Sequence, residues 1–308
     1  MIFKIFGGAG FIGNHLVKKL LSEGHKVTVF DTKKPRIVGA NVYRPDGGEA
    51  SWYNPVNFIG GDITDFQSVY YIIDRGDIVV NLAAVSQFDD CERDSSRAVK
   101  INVTGAVNVA HACILNNAAQ YIFTSTGAVY SPFCTSPITE DKMIAPVSFY
   151  GLSKKIAEEA LLYFSGKLPL TILRFPHVYG PGKTWGANSI ISTILSGGRP
   201  VIYGDGENKG DFTYVDDVVS AIKLVATKQE TGVFNVGSGT SRSVNDFVKL
   251  AKMFLDAVSI QPLFLPARKF DNKDFQHDIT LIQKLGYKPT YDLECGLQKT
   301  VLEWQQWL

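Results

Sequence analysis

The chain has 308 residues, 45% of them hydrophobic and 20% charged, an ordinary balance for a globular protein with room for one large core or two smaller ones. A formal net charge of +1 gives no bulk attraction to nucleic acid or to an acidic membrane surface, so neither is expected as a partner. Cys91, Cys113, Cys134 and Cys295 lie far apart, without a CxxC pair or metal-ligand spacing, and no unbroken apolar run approaches the roughly 18 residues of a membrane span. Free thiols, no metal and no signal peptide before the apolar segment at Met1 together suggest a cytoplasmic protein.

In chain order, "MIFKIF" reads as a short buried strand ending in glycines. "FIGNHLVKKLLSEGH" carries Ile12, Leu16, Leu20 and Leu21 at helical spacing and stops at Gly24. "KVTVFD" is a second strand. From Thr32 to about Val56 there is no periodicity, and a loop is predicted. "VNFIGGDI" and "DIVVNLAA" are strands separated by a helix through "DFQSVYYIID". "SRAVKINVTGAVNVAHACILNN" predicts a long helix, followed by the strand "YIFTST", a helix holding Tyr150 and the strand "LTILRF". Strands alternating with helices imply right-handed crossovers and a doubly wound parallel α/β sheet of Rossmann type, covered on both faces.

After Arg174 the texture changes, and glycine and proline cluster. Helices are predicted at "SVNDFVKLAKMF", with Ser243 as N-cap and Asp246 in the first turn, and at "GLQKTVLEWQQWL". This suggests a second, smaller α/β lobe. The expected division is 1–175 with 211–236 for a cofactor-binding domain, and 176–210 with 237–308 for a substrate lobe.

"FGGAGFIG" places Gly7, Gly10 and Gly13 between the first strand and the first helix. Glycine serves tight turns for conformational reasons alone. Here, however, the turn opens a helix, beginning at Phe11 and Ile12, whose N–H groups and positive dipole end suit a pyrophosphate. Asp31 ends the next strand, placed to accept hydrogen bonds from an adenosine ribose. A carboxylate there repels a 2′-phosphate, which favours NAD over NADP, although Lys33 and Lys34 stand nearby.

"YGLSK" puts Tyr150 and Lys154 one helical turn apart. Taken alone, such a pair is usually surface decoration. The strand before it, however, ends in Ser125 and Thr126, at the carboxyl edge where ligands of such sheets sit. A phenol titrates near 10, so service as a base near pH 7 needs a depression of about 3 units, or ~4 kcal/mol. A neighbouring ammonium and an oxidised nicotinamide both act in that direction.

The GxxGxxG spacing, then "NLAA", "FTSTGAVY", "YGLSK", "LRFPHVYGPG", "GDFTYVDDVV", "FNVGSG" and "LGYKPTYDLECGL" follow in order along nearly the whole chain. In this the sequence resembles the extended short-chain dehydrogenase/reductase family, in its branch of sugar-nucleotide epimerases and dehydratases. The resemblance implies that Tyr150 removes a sugar hydroxyl proton, that Lys154 lowers its pKa and binds the nicotinamide ribose, and that Thr126 is the catalytic hydroxyl, with Ser125 beside it. It places Asp62 and Ile63 at the adenine, Leu82, Ala83 and Ala84 along the pyrophosphate and ribose, Ser86 on the sugar side, and Phe175 near the nicotinamide.

Dehydratases of this branch carry an Asp-Glu pair after the threonine, decarboxylases want an acid there, and the 3,5-epimerase/reductases a cysteine. This chain has Gly127 and Ala128. The implied reaction is therefore 4-epimerisation of a nucleotide-diphosphate sugar with NAD. The "CE" at Cys91 keeps a keto-sugar reductase as the alternative, and a non-catalytic NAD-binding sensor is the different-class reading. Two departures touch the substrate: His177 stands where epimerases have an asparagine, and Gly210 where they have an arginine facing the diphosphate. Arg268 fits a second arginine position. Tyr179 and Trp185 either stack on substrate or fill the lobe's core. Relatives dimerise as a four-helix bundle through the helices here at 96–116 and 149–163, which implies a homodimer.

Overall fold

The computed structural model describes residues 1–35, 56–267 and 273–307. Two compact units divide the chain. One comprises Met1–Ser125, Ser153–Leu173 and Ile222–Val233; the other comprises Thr126–Leu152, Arg174–Ala221 and Phe234–Leu308. Most of the predicted loop from Thr32 to Val56 lies outside the described residues.

The elements of the first part of the chain run β1 (Ile2–Phe6), α1 (Phe11–Ser22), β2 (Lys26–Asp31), β3 (Asn57–Gly60), α2 (Phe66–Tyr70) and β4 (Ile78–Asn81). They continue with α3 (Phe88–Arg93), α4 (Ser95–Val99), α5 (Ala106–Leu115), β5 (Gln120–Thr126), α6 (Phe149–Leu162) and β6 (Leu170–Phe175). The sheet order is β3-β2-β1-β4-β5-β6, closed by the strand Gly232–Asn235. β3 through β5 pair parallel throughout. This is the predicted doubly wound sheet, and its order reverses between β1 and β4, the place where such sheets form a crevice. Central strands buried on both faces need continuous apolar sequence, and "IVVN" of β4 is buried at every residue.

Two predicted helices differ in detail. The helix expected through "DFQSVYYIID" is only α2, N-capped by Asp65, whose Oδ1 accepts from Gln67 N at 3.1 Å. Ile72 and Ile73 then enter the core from turns, and the chain reverses at Gly76, with φ +84. The long helix is continuous from Ser95 to Leu115, but its middle, Lys100–Gly105, is π-helical. This helix meets the length and mean hydropathy (1.3) of a membrane span, which a search for unbroken apolar runs misses because Lys100, Asn102 and Asn108 interrupt it. Its apolar face is used in the core: Ala106, Val109, Ala110, Ala112 and Cys113 pack with Phe123, Tyr121 and Val79.

In the second unit the helix Val244–Phe254 begins with the predicted Ser243 cap, and Asp246 completes a capping box by accepting from Ser243 N at 3.2 Å. A helix at Val215–Lys228, not among the predicted elements, opens with Asp216 and Asp217. Tyr179 fills the core: it is fully buried, edge-on to Tyr214 and Phe247 at 5.7 and 5.6 Å. Trp185 lies under Lys183, with Nζ 3.8 Å from the ring centroid.

Candidate active site

β1 enters α1 through the glycine turn. Gly7 has φ +77, and a Cβ there would lie 2.4 Å from the Ala83 nitrogen. Only glycine lets the turn after β1 touch the chain leaving β4. At Gly13 a Cβ would meet the Gly7 carbonyl oxygen at 2.5 Å, so α1 rests directly on the turn. Gly10 is exposed and brings no capping side chain to the start of α1, where the helix dipole favours an anion. Phe11 and Ile12 form that start, half-buried. Asp31 braces the arrangement from β2: Ala9 N donates to Oδ2 at 2.9 Å and Lys33 N to Oδ1 at 3.1 Å. A carboxylate has about four lone-pair positions, so capacity remains for ribose hydroxyls.

The predicted adenine residues take different roles. Asp62 is exposed and accepts from Thr64 N at 2.8 Å, whereas the Ile63 side chain is a core group against Gly105. Leu82, Ala83 and Ala84 follow β4, with Leu82 N bonded to Phe6 O at 2.8 Å and Ala83 N to Asn81 Oδ1 at 3.0 Å. Ser86 is half-exposed two residues on.

α6 is capped by Ser148, whose Oγ accepts from Gly151 N at 3.1 Å. A Cβ at Gly151 would lie 2.3 Å from the Ala128 carbonyl oxygen, so the start of the helix abuts the short 3-10 turn Gly127–Val129. Thr126 opens that turn, its Oγ1 accepting from Ala128 N at 3.2 Å. Thr126 and Tyr150 therefore belong to touching backbone segments of the second unit. Lys154, one turn beyond Tyr150, belongs to the first unit; it is 2% exposed and its Nζ lies 4.1 Å from the Phe123 ring centroid. Burial pushes the ammonium down to about 7, against the opposing pull of the Glu158 carboxylate.

Ser125 is buried and its hydroxyl donates to Glu158 Oε1, so that side chain is engaged inside the protein. Two residues here were absent from the sequence expectations, Glu158 and Asn102. Asn102 sits in the π-helical segment, fully buried. Its Oδ1 accepts from Val85 N at 2.8 Å, and its Nδ2 donates to Val85 O at 3.0 Å and Ser153 Oγ at 2.9 Å. A polar residue inside an apolar helix was the available signal, since π-bulges gather at functional sites.

In the second unit Phe175 ends β6, 5% exposed. His177 follows, with rings of Phe212 and Phe275 at 5.7 and 6.0 Å. The two departures from the expected pattern pack on each other: a Cβ at Gly210 would lie 2.8 Å from His177 Cδ2. Loss of water around the ring and then the Lys183 ammonium push the His177 imidazole below its usual range, although the residue as a whole is exposed. Arg268 lies outside the described residues.

A family model described as "NAD dependent epimerase/dehydratase family" matches residues 4–237, well over half the chain. The chain belongs to this family. Among its relatives, a dTDP-glucose 4,6-dehydratase of Streptomyces griseus is 32% identical, over 96% of this chain and 92% of its own. The crystal structure of a UDP-glucose 4-epimerase from Thermotoga maritima with UDP-glucose matches 99% of both chains, at 31% identity and a TM-score of 0.85. A UDP-N-acetylglucosamine 4-epimerase from Methanobrevibacter ruminantium, in complex with UDP-N-acetylmuramic acid, is 29% identical with a TM-score of 0.88, covering 99% of this chain and 98% of that one.

The NAD dependence of the epimerase/dehydratase family agrees with the turn just described. Gly7 and Gly13 let the turn pack tightly against the chain leaving β4 and against α1, and the acid at Asp31 suits a ribose without a 2′-phosphate.

Proposed function

We propose that this family member is an NAD-dependent 4-epimerase acting on a nucleotide-diphosphate sugar. The observation that carries the reading is the packing at Gly127. A side chain there would begin 2.4 Å from Phe275 Cζ and 2.7 Å from His277 Nε2, so no carboxylate follows the Thr126 hydroxyl. Without a carboxyl group at that place, the chain is equipped to move one hydride and one proton at a single carbon. NAD held at the glycine turn and Asp31 would supply reversible hydride chemistry at that carbon.

In this reading Gly7, Gly10, Phe11, Ile12 and Gly13 receive the pyrophosphate and Asp31 the ribose. Tyr150 takes the proton of the sugar hydroxyl and later gives it back. Thr126 Oγ1 accepts from Ala128 N and so is left to donate its own proton to the sugar oxygen, holding it in line. The positive charge of Lys154 favours the phenolate. Ser86 faces the sugar, and His177 and Arg268 the diphosphate. We further propose a cytoplasmic protein, and a homodimer supported by apolar side chains left exposed on and beside two helices: Leu115 (61%) of α5, Ile156 (38%) in the middle of α6 and Tyr163 (85%) just after it.

The test is incubation with a panel of sugar nucleotides, with products separated by chromatography and NADH followed by absorbance. Two sugars should reach the same ratio from either side with no net change in NADH. Stoichiometric consumption of NADH by a keto-sugar makes the protein a reductase, and NAD binding without any turnover makes it a sensor; either result overturns the proposal.

A further inference from the structure

Four buried groups meet in the first unit, where α6 packs on β5. Phe123 and Ser125 project from the same face of β5, since side chains two apart on a strand share a face. Lys154 Nζ lies over the Phe123 ring, and Ser125 donates a hydrogen bond to Glu158. Glu158 follows Lys154 by one helical turn, so the two side chains are neighbours on α6. Lys154, Glu158 and Ser125 are 2%, 2% and 4% exposed. A carboxylate is rarely buried unless a partner offsets the loss of water, and a buried ammonium needs the same.

We propose that Glu158 is a positioning residue: held in place by Ser125, its carboxylate keeps the buried Lys154 protonated beside the proton-transferring end of α6. This rests on the role assigned above to Tyr150 and Lys154. The ammonium is otherwise poorly supported. Burial lowers its pKa to about 7, Glu158 is the leading influence in the other direction, and Cys91 of α3 adds a smaller pull of the same sign. From β5, Phe123 faces it directly and Ser125 faces its neighbour Glu158. The further titratable neighbour on α6 is Tyr150, one turn before it. Replacing the carboxylate by an amide of the same shape keeps a partner for Ser125 but removes the charge. Lys154 then loses its proton at lower pH, and with it the power to favour the Tyr150 phenolate.

The experiment is 13C NMR of the full-length protein with [ε-13C]lysine, without substrate, the Lys154 signal being assigned by its loss in Lys154→Met. Glu158→Gln should lower the Lys154 proton affinity at least tenfold. Glu158→Asp, which keeps the charge but withdraws it by one methylene, should lower it by about threefold. Thermal melting identifies which variants are folded, and an unchanged Lys154 titration in either folded variant overturns the proposal. In the active enzyme the alkaline limb of kcat/KM should move to lower pH in Glu158→Gln and largely return in Glu158→Asp. Equal loss at every pH would mark Glu158 as merely structural. The NMR titration needs no turnover, so it stands or falls separately from Tyr150→Phe, which tests the epimerase reading itself.

Discussion

Tyr150 and His277 show how a single residue's surroundings set its chemistry. Tyr150 starts a helix whose first turn abuts the turn after Thr126. Tyr150→Phe should leave NAD binding intact and slow turnover at least ~100-fold, the scale of a lost general acid or base, measurable as initial epimerisation rates. His277 is fully buried, with Nδ1 2.9 Å from Val236 O and, among the described residues, no partner at Nε2. Burial lowers its pKa from 6.5 to about 4. The unfolded chain therefore binds the extra proton first, and stability is lost as pH falls from about 6.5 towards 4. The loss attributable to His277 should reach about 3 kcal/mol, taking 1.36 kcal/mol per pKa unit. Denaturant titrations at pH 7 and pH 4.5 should show it in the natural protein and much less of it in His277→Gln.

At the scale of elements, small strands carry the features that set this chain apart. Gly210 lies in the strand Lys209–Gly210, between Arg242–Ser243 and Asp274–Phe275, and His177 covers the place where its side chain would start. Gly210→Arg alone should lower Tm by several degrees, because the new Cβ drives into the imidazole. Combined with His177→Asn the penalty should shrink, with a coupling above ~0.5 kcal/mol in a double-mutant cycle. Strict additivity would show that the two positions do not share space. The strongly patterned elements were legible in advance: "KVTVFD", "YIFTST" and the Ser243 capping box follow from local periodicity and hydrogen bonding. The short α2 and the π-helical segment were not. Their limits depend on what Ile72, Ile73 and Asn102 meet across the core, which local periodicity does not encode.

For the whole molecule, the exposed apolar side chains of α5 and α6 bear on assembly. Analytical ultracentrifugation should find a dimer, and Ile156→Glu, which places a charge in that surface, should give a folded monomer. A natural protein that sediments as a monomer at all concentrations would sink the four-helix arrangement.

The sequence by itself determined the alternating α/β order, the glycine turn with its acid, and the Tyr150–Lys154 spacing, because each is a local pattern within a few tens of residues. Only the tertiary structure decided that Glu158 and Ser125 share a hydrogen bond beside Lys154, that Gly210 and His177 occupy one space, and that Phe275 and His277 fill the place beside Gly127. Those pairs lie as much as 150 residues apart, and what brings them together is close packing of the core, which no short stretch of chain specifies.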